Sequence, residues 1–225
     1  MSSLILLSIA AYSGIEFSTR YIFKNNKYNK EYGEFVASTI NAIVTCTLST
    51  IALMDPNLWN DKLYYTNSTG LTSLYCISGY FVYEVLMCLQ KEFDIKNKLF
   101  IFHGLVGMQL GLLASYYKLA LFYYIGLSLM EFSTPFVNCR NFLKLYKLKN
   151  IYVDLLLFVS FLSCRVLWGS YVYILIVQDM YADRVYSVYI KLPLIFTITS
   201  FMGLSYYWFY LMFKIFYSKI KFFLK

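Results

Sequence analysis

The chain has 225 residues, of which 60% are apolar, 21% aromatic and only 14% charged, and it carries a formal net charge of +8. That composition excludes an ordinary soluble domain, which needs far more polar surface. A surplus of positive charge points to nucleic acid in a soluble protein, but here its placement along the chain follows membrane topology, and no nucleic-acid partner is expected.

A helix crossing the ~30 Å hydrocarbon core needs roughly 20 mostly apolar residues. Seven stretches meet this requirement: 4–23, 35–54, 70–89, 99–117, 119–137, 151–177 and 189–216. They use nearly the whole chain and leave no soluble domain. The expected fold class is an all-α integral membrane protein with seven transmembrane helices and short loops.

The first stretch has small residues from Ala10 to Ser13, as a cleaved signal peptide would. However, Met1-Ser2-Ser3 lacks a basic leader, and Arg20, Lys24, Lys27 and Lys30 gather at its far end. A retained helix is expected, so residues 1–33 read as a leading span with a basic cytosolic loop.

Lysine and arginine then alternate between gaps. With Arg20 and Lys214 counted with the adjoining gaps, the series is 4, 1, 3, 1, 4, 1, 4, while Arg165 and Lys191 lie within spans. Basic residues near spans stay cytosolic, which predicts a lumenal or outside N-terminus and a cytosolic C-terminus. The weakest joint is Tyr116-Tyr117-Lys118, because a single helix over 99–137 would invert everything after it.

Asn67-Ser68-Thr69 is a glycosylation sequon in a gap assigned to the lumen, making Asn67 a glycosylation candidate. Cys46, Cys76, Cys88, Cys139 and Cys164 lie in spans or at cytosolic ends. No disulfide framework is implied. Cys88 and Cys139 sit where palmitoylation occurs, although burial as small hydrophobes is the commoner role.

Ionisable groups within spans are costly and face partners or wet cavities. From the ~1.5 Å rise per residue, Asp154, His103, Glu84, Asn41, Glu16 and Glu131 lie roughly 4 to 10 Å from the cytosolic ends of their helices. Arg165 lies roughly 21 Å from the start of its span. Two readings are open. The groups line a cavity open to the cytosol, or they reach to water and tie helices together.

The fifth span contains the sharpest pattern, Glu131-Phe132-Ser133-Thr134-Pro135-Phe136-Val137-Asn138-Cys139-Arg140. Pro135 lacks an N–H for the Glu131 carbonyl and bends or breaks the helix there. On an unbroken helix Glu131, Pro135 and Asn138 would share one face, with Arg165 as countercharge to Glu131. In the fourth span, His103, Gly107 and Gly111 share a face, and Gly107-x-x-x-Gly111 favours close helix packing. His103 is the only histidine. It reads as a packing residue or as a general base, and no histidine-based metal cluster can form.

These residues resemble the TLC-domain family, which includes ceramide synthases, TRAM translocon-associated proteins and TLC domain-containing membrane proteins of poorly defined function. The 131–140 run is similar to the family's E-x-S-T-P-F-x-N-x-R pattern. Gly79 to Glu84 resembles a G-Y-x-x-x-D segment, Phe100 to Leu105 the paired-histidine segment, Phe158 to Arg165 the F-x-x-x-R helix, and Asp55-Pro56 the loop after the domain's first helix. The departures are Gly104 where a second histidine is usual, Asn41 for a further histidine and Glu84 for aspartate.

The resemblance implies one leading helix and a six-helix TLC-type barrel over residues 34–217, followed by a short basic cytosolic tail, 218–225. It implies an endoplasmic-reticulum membrane and a lipid-binding cavity involving Glu84, His103, Glu131, Asn138, Arg140 and Arg165. With the paired histidines incomplete, the expectation is a non-enzymatic protein, without a cofactor, that binds membrane lipid and influences lipid composition or homeostasis. The first alternative is an acyl-CoA-dependent N-acyltransferase with His103 as the catalytic base and acyl-CoA as substrate. The second is a cargo or translocation accessory protein. A membrane-protein partner or a second copy of the chain is a further expected contact.

Overall fold

The computed structural model describes residues 2–91, 94–117 and 119–223, and among these it is entirely helical, with no strand. The elements in order are α1 (Ser2–Ile22), α2 (Asn29–Leu53), the short α3 (Pro56–Asn60), α4 (Ser68–Leu89) and α5 (Ile95–Tyr117). Then come α6 (Leu121–Ser128), a 3-10 segment (Leu129–Ser133) leading into α7 (Thr134–Leu145), and α8 (Ile151–Phe161). A π segment (Leu162–Trp168) joins α8 to α9 (Gly169–Ala182), and α10 (Val188–Phe223) closes the chain.

Five of the described helical stretches are long and apolar enough to cross a membrane: Asn29–Leu53, Ser68–Leu89, Asn97–Tyr117, Ile151–Ala182 and Val188–Tyr217. The chain is a multi-pass membrane protein. Two expected spans fall outside this set for physical reasons. The α1 helix carries Tyr12, Glu16, Thr19, Arg20 and several serines, which dilute its apolar character. The column from α6 to α7 is cut by the 3-10 segment, so neither piece alone reaches spanning length.

Local chemistry sets the helix ends. Asp55 caps α3 by accepting from the Asn57 N–H, with Pro56 opening the first turn, where its missing donor is harmless. Asn67 caps α4, and Asn150 caps α8 by accepting from Tyr152 and Val153. After α7, Lys147 is left-handed (φ 56°), its N–H bonding the Lys144 carbonyl while Leu148 bonds that of Leu143. This double closure satisfies carbonyls the helix leaves open.

The doubtful joint after Tyr117 is a true break. The helix resumes at Leu121 after Ala120, which is left-handed (φ 60°) and donates its N–H to the Leu63 carbonyl at 2.7 Å. Lys118 itself lies outside the described residues. The chain reverses here. In α5, Gly111 abuts Ser78 of α4 and Tyr124 of α6, while Gly107 abuts Phe81 and Gly104 abuts Val85. Thus α5 runs antiparallel to α4, and Leu121 packs beside Gly70 at the start of α4.

Packing proceeds from α2 to α4, α4 to α5, α5 to α10, α10 to α8 and α9, and from these to α7 and α6, which return to α2. Every residue of α6 is buried, as for a helix enclosed on all sides. The α1 helix lies outside this circuit, against α2 and α4. It approaches closely enough that a Cβ on Gly79 would meet Ser8 at 2.5 Å.

The antiparallel arrangement gathers the basic segments at one end. Asn26 bonds the Tyr146 hydroxyl (3.3 Å), Lys91 pairs with Glu34 (2.6 Å), and Phe158 stacks on Phe216 (4.6 Å). At the other end, Tyr64 bonds Asp183 and Lys62 lies 3.9 Å from Asp179.

Candidate functional site

Polar side chains from several helices converge inside the bundle rather than turning out to lipid. Arg165 Nη2 lies 3.1 Å from Glu131 Oε1, and Arg165 Nε donates to Ser133 Oγ at 2.9 Å. Thr134 Oγ1 donates to Glu131 Oε2 (2.5 Å) and accepts from Arg165 (3.3 Å). The guanidinium also faces the rings of Phe161 (5.2 Å) and Trp208 (5.9 Å), adding cation–π attraction. Both members of the ion pair are buried.

Beside this pair is a second. His103 Nδ1 lies 3.3 Å from Glu84 Oε2, and Tyr80 donates to Glu84 Oε1 at 3.4 Å. The imidazole stacks on Phe201 (5.0 Å) and contacts Phe81 and Trp208 (both 5.4 Å). Trp208 therefore lies against both His103 and Arg165. Two buried nitrogens in this cluster have no partner, His103 Nε2 and Arg165 Nη1.

The backbone explains the placement. The 3-10 segment ends where Thr134 donates its N–H to the Glu131 carbonyl, so the acceptor that Pro135 leaves open is filled by the chain itself. This change of winding also splits the expected Glu131–Pro135–Asn138 face. Glu131 points to Arg165, while Asn138 donates to Phe35 O (3.2 Å) and Thr39 Oγ1 (2.9 Å) of α2. Arg165 sits in the π segment, a wider winding often found at functional sites.

Arg140 stands apart from the inner cluster. Its Nε lies 2.9 Å from Asp154 Oδ1, and its side chain is 32% exposed. The two ion pairs, Glu131–Arg165 and Arg140–Asp154, fix the register between antiparallel columns. Arg140 follows Glu131 by nine positions and Arg165 follows Asp154 by eleven, roughly 13 and 16 Å of helix. Arg165 looked deeper than Glu131 in the sequence because depth was counted from Ile151, which lies outward of the Arg140–Asp154 level.

A further polar layer involves α1. Glu16 pairs with Arg20 and accepts from Tyr83 (2.9 Å), and Tyr12 donates to Asn41 Oδ1 (3.0 Å). Tyr12 packs edge-on to Tyr80 at 5.3 Å, which links this layer to Glu84.

Two concavities lie elsewhere. One is a half-open crevice beside Arg140 and Asp154 between α7, α8 and α10. The other lies at the opposite end between Asp61, Lys62, Tyr64, Asp179 and Asp183. Neither is lined by Glu84, His103, Glu131 or Arg165. At the second, burial raises the Asp183 carboxyl, but hydrogen bonds from Tyr64, the Tyr186 N–H and Lys191 outweigh it and hold it below the usual range.

The sequon asparagine has a structural task. Asn67 Oδ1 accepts from the Gly70 N–H (2.7 Å), and Nδ2 donates to Ala52 O (3.1 Å) and Asp55 Oδ2 (3.2 Å). The nitrogen that would carry a glycan is thus already engaged.

The family model of the TLC domain (TRAM, LAG1, CLN8) matches residues 31–214. The chain belongs to the TLC-domain family. No curated protein matches the chain. The TLC domain runs from the start of α2 into α10 and contains both inner pairs, whereas Tyr12 and Glu16 come from α1, outside the matched residues. Membership links this membrane protein to lipid biology.

Phe201 and Trp208 escaped the sequence reading. Their spacing of seven places both on one face of α10, but on a chain with 47 aromatic residues among tyrosine, phenylalanine and tryptophan, nothing singled them out.

Proposed function

We propose that this TLC-domain protein spans the membrane seven times, with a lumenal N-terminus and cytosolic C-terminus, and binds a membrane lipid through its inner polar cluster. In this reading α1 leads, and α2, α4, α5, the α6–α7 column, the α8–α9 column and α10 form a six-helix barrel. The role is non-enzymatic: retaining lipid and so influencing membrane lipid composition or homeostasis, in the endoplasmic reticulum by family analogy. Glu84, His103, Glu131 and Arg165 form the binding centre. Asn138 braces α7 against α2, and Arg140 contacts lipid nearer the membrane surface.

One observation carries the reading: among the described residues, His103 Nε2 and Arg165 Nη1 are buried without hydrogen-bond partners, and both side chains lie against Trp208. A buried polar group left unsatisfied costs about 1–3 kcal/mol. A polar group of a bound lipid would remove that cost at both atoms.

Lipid mass spectrometry on protein purified in mild detergent tests the proposal. A discrete lipid class is expected with the wild type and is expected to be depleted from His103→Ala and Glu131→Ala. Identical lipid profiles for all three would overturn it.

A second reading is an acyl-CoA-dependent N-acyltransferase. Glu84 beside His103 Nδ1 would orient the imidazole and leave Nε2 as the base for an attacking amine. Purified protein supplied with acyl-CoA and a sphingoid base decides between the two, since turnover abolished by His103→Ala would make this chain an enzyme.

A further inference from the structure

We infer that the crevice beside Arg140 is a separate phospholipid site, in which the guanidinium holds the lipid phosphate and the seam between α8 and α10 holds an acyl chain. The bond to Asp154 engages Nε, one of five N–H donors on a guanidinium. The side chain is 32% exposed and borders the crevice. Below it, the walls are apolar, with Leu157 and Phe158 from α8 facing Met212 and Phe216 from α10. The stacked rings of Phe158 and Phe216, 4.6 Å apart, continue into Phe209, 5.5 Å from Phe158. This aromatic surface runs along the helices as an acyl chain does.

Position and charge select the occupant. Asp154 lies in the first turn of α8, and exposed Lys144 stands one helical turn beyond Arg140 on α7. The crevice therefore opens at the basic end of the bundle, at the level of lipid head groups. Guanidinium groups match phosphate oxygens with paired, charge-assisted hydrogen bonds. The apolar walls have no use for inorganic phosphate, and the cation has none for an uncharged diglyceride. A phospholipid satisfies both surfaces. The site is distinct from the inner cluster, because no residue of the two inner pairs lines this crevice.

Native mass spectrometry of the full chain in mild detergent, titrated with phosphatidylglycerol, tests this. One tight adduct is expected, weakened about tenfold in Arg140→Gln through loss of charge-assisted bonds. Met212→Trp, which fills the crevice and leaves the ion pair in place, is expected to weaken it similarly. Lys24→Gln, a basic residue elsewhere at the same end, is expected to leave it unchanged. Diacylglycerol with the same chains is expected to bind weakly, and inorganic phosphate not to compete. Wild-type binding by Arg140→Gln and Met212→Trp, equal loss in Lys24→Gln, competition by phosphate, or diacylglycerol binding as tightly would each overturn the assignment.

Discussion

Arg165 reaches across from the π segment to Glu131 in the 3-10 segment, so these two irregular turns meet at one buried ion pair, 3.1 Å apart. Removing one partner of such a pair leaves an uncompensated charge and costs about 3–5 kcal/mol. Arg165→Met alone is therefore expected to lower the melting temperature sharply in detergent. The double variant Arg165→Met, Glu131→Leu is expected to recover most of the loss. Equal destabilisation by the single and double variants would show that the pair is not what matters.

The Glu84–His103 pair permits a sharper separation of stability from function. Glu84→Leu with His103→Phe removes the partnerless Nε2 and leaves an aromatic ring against Phe81, Phe201 and Trp208. Replacing a buried polar pair by apolar groups of similar volume is often neutral or stabilising, by about 1–4 kcal/mol. The double variant is expected to melt no lower than the wild type while losing the co-purifying lipid. A variant that melts normally and retains the lipid would remove His103 and Glu84 from the site.

The seam between α4 and α5 depends on glycine. A Cβ at Gly107 would lie 2.4 Å from the Phe81 ring, and one at Gly111 would lie 2.1 Å from Ser78 Oγ. Gly107→Ala is expected to cost about 1–3 kcal/mol by overpacking. At Gly14, where nothing lies within 4 Å, alanine is expected to be neutral or to stabilise by up to about 1 kcal/mol through helix propensity. Thermal unfolding of the two variants in parallel checks both.

Asn67 separates capping from glycosylation. Thr69→Ala destroys the sequon but keeps the asparagine, whereas Asn67→Ala also removes the helix cap and the bonds to Ala52 and Asp55. Only Asn67→Ala is expected to destabilise, by about 1 kcal/mol or more. Treating the wild type with a glycosidase is expected to leave its mass unchanged, because Nδ2 is engaged within the fold.

At the opposite end, Asp183 gives acid sensitivity. Its carboxyl is held below the ordinary value of 3.8 despite burial, because Tyr64, the Tyr186 N–H and Lys191 donate to it. A lowered folded-state pKa contributes stability in full above the ordinary value and loses it as pH falls below that value. Melting temperature is expected to drop more steeply below about pH 4 in the wild type than in Asp183→Asn. At neutral pH the variant is expected to be the less stable of the two. Parallel acid limbs would remove Asp183 as the cause.

Much of this architecture was legible in the residues. Apolar runs of about 20 residues have few fates other than crossing a membrane, and the 131–140 run placed a break at Pro135 because proline cannot continue the hydrogen-bond ladder. The likeness of Glu131 to Arg140 and of Phe158 to Arg165 to TLC-domain segments pointed to the family, and the match over 31–214 supports it. The countercharge for Glu131 was also readable, since Arg165 is the one arginine deep in a span.

Tertiary structure decided how those residues are shared out. A 3-10 turn replaced the regular helix that would have put Glu131 and Asn138 on one face, sending the acid to Arg165 and the amide to α2. Arg140 became part of an outer ion pair because Asp154 on the facing column stands at its height, which depends on the register of two helices and not on either alone. Trp208 came to lie against both His103 and Arg165 through the packing of α10 on α5 and on the π segment. Periodicity along one helix specifies which face a side chain occupies, but only the relative height and rotation of its neighbours determine what that face meets.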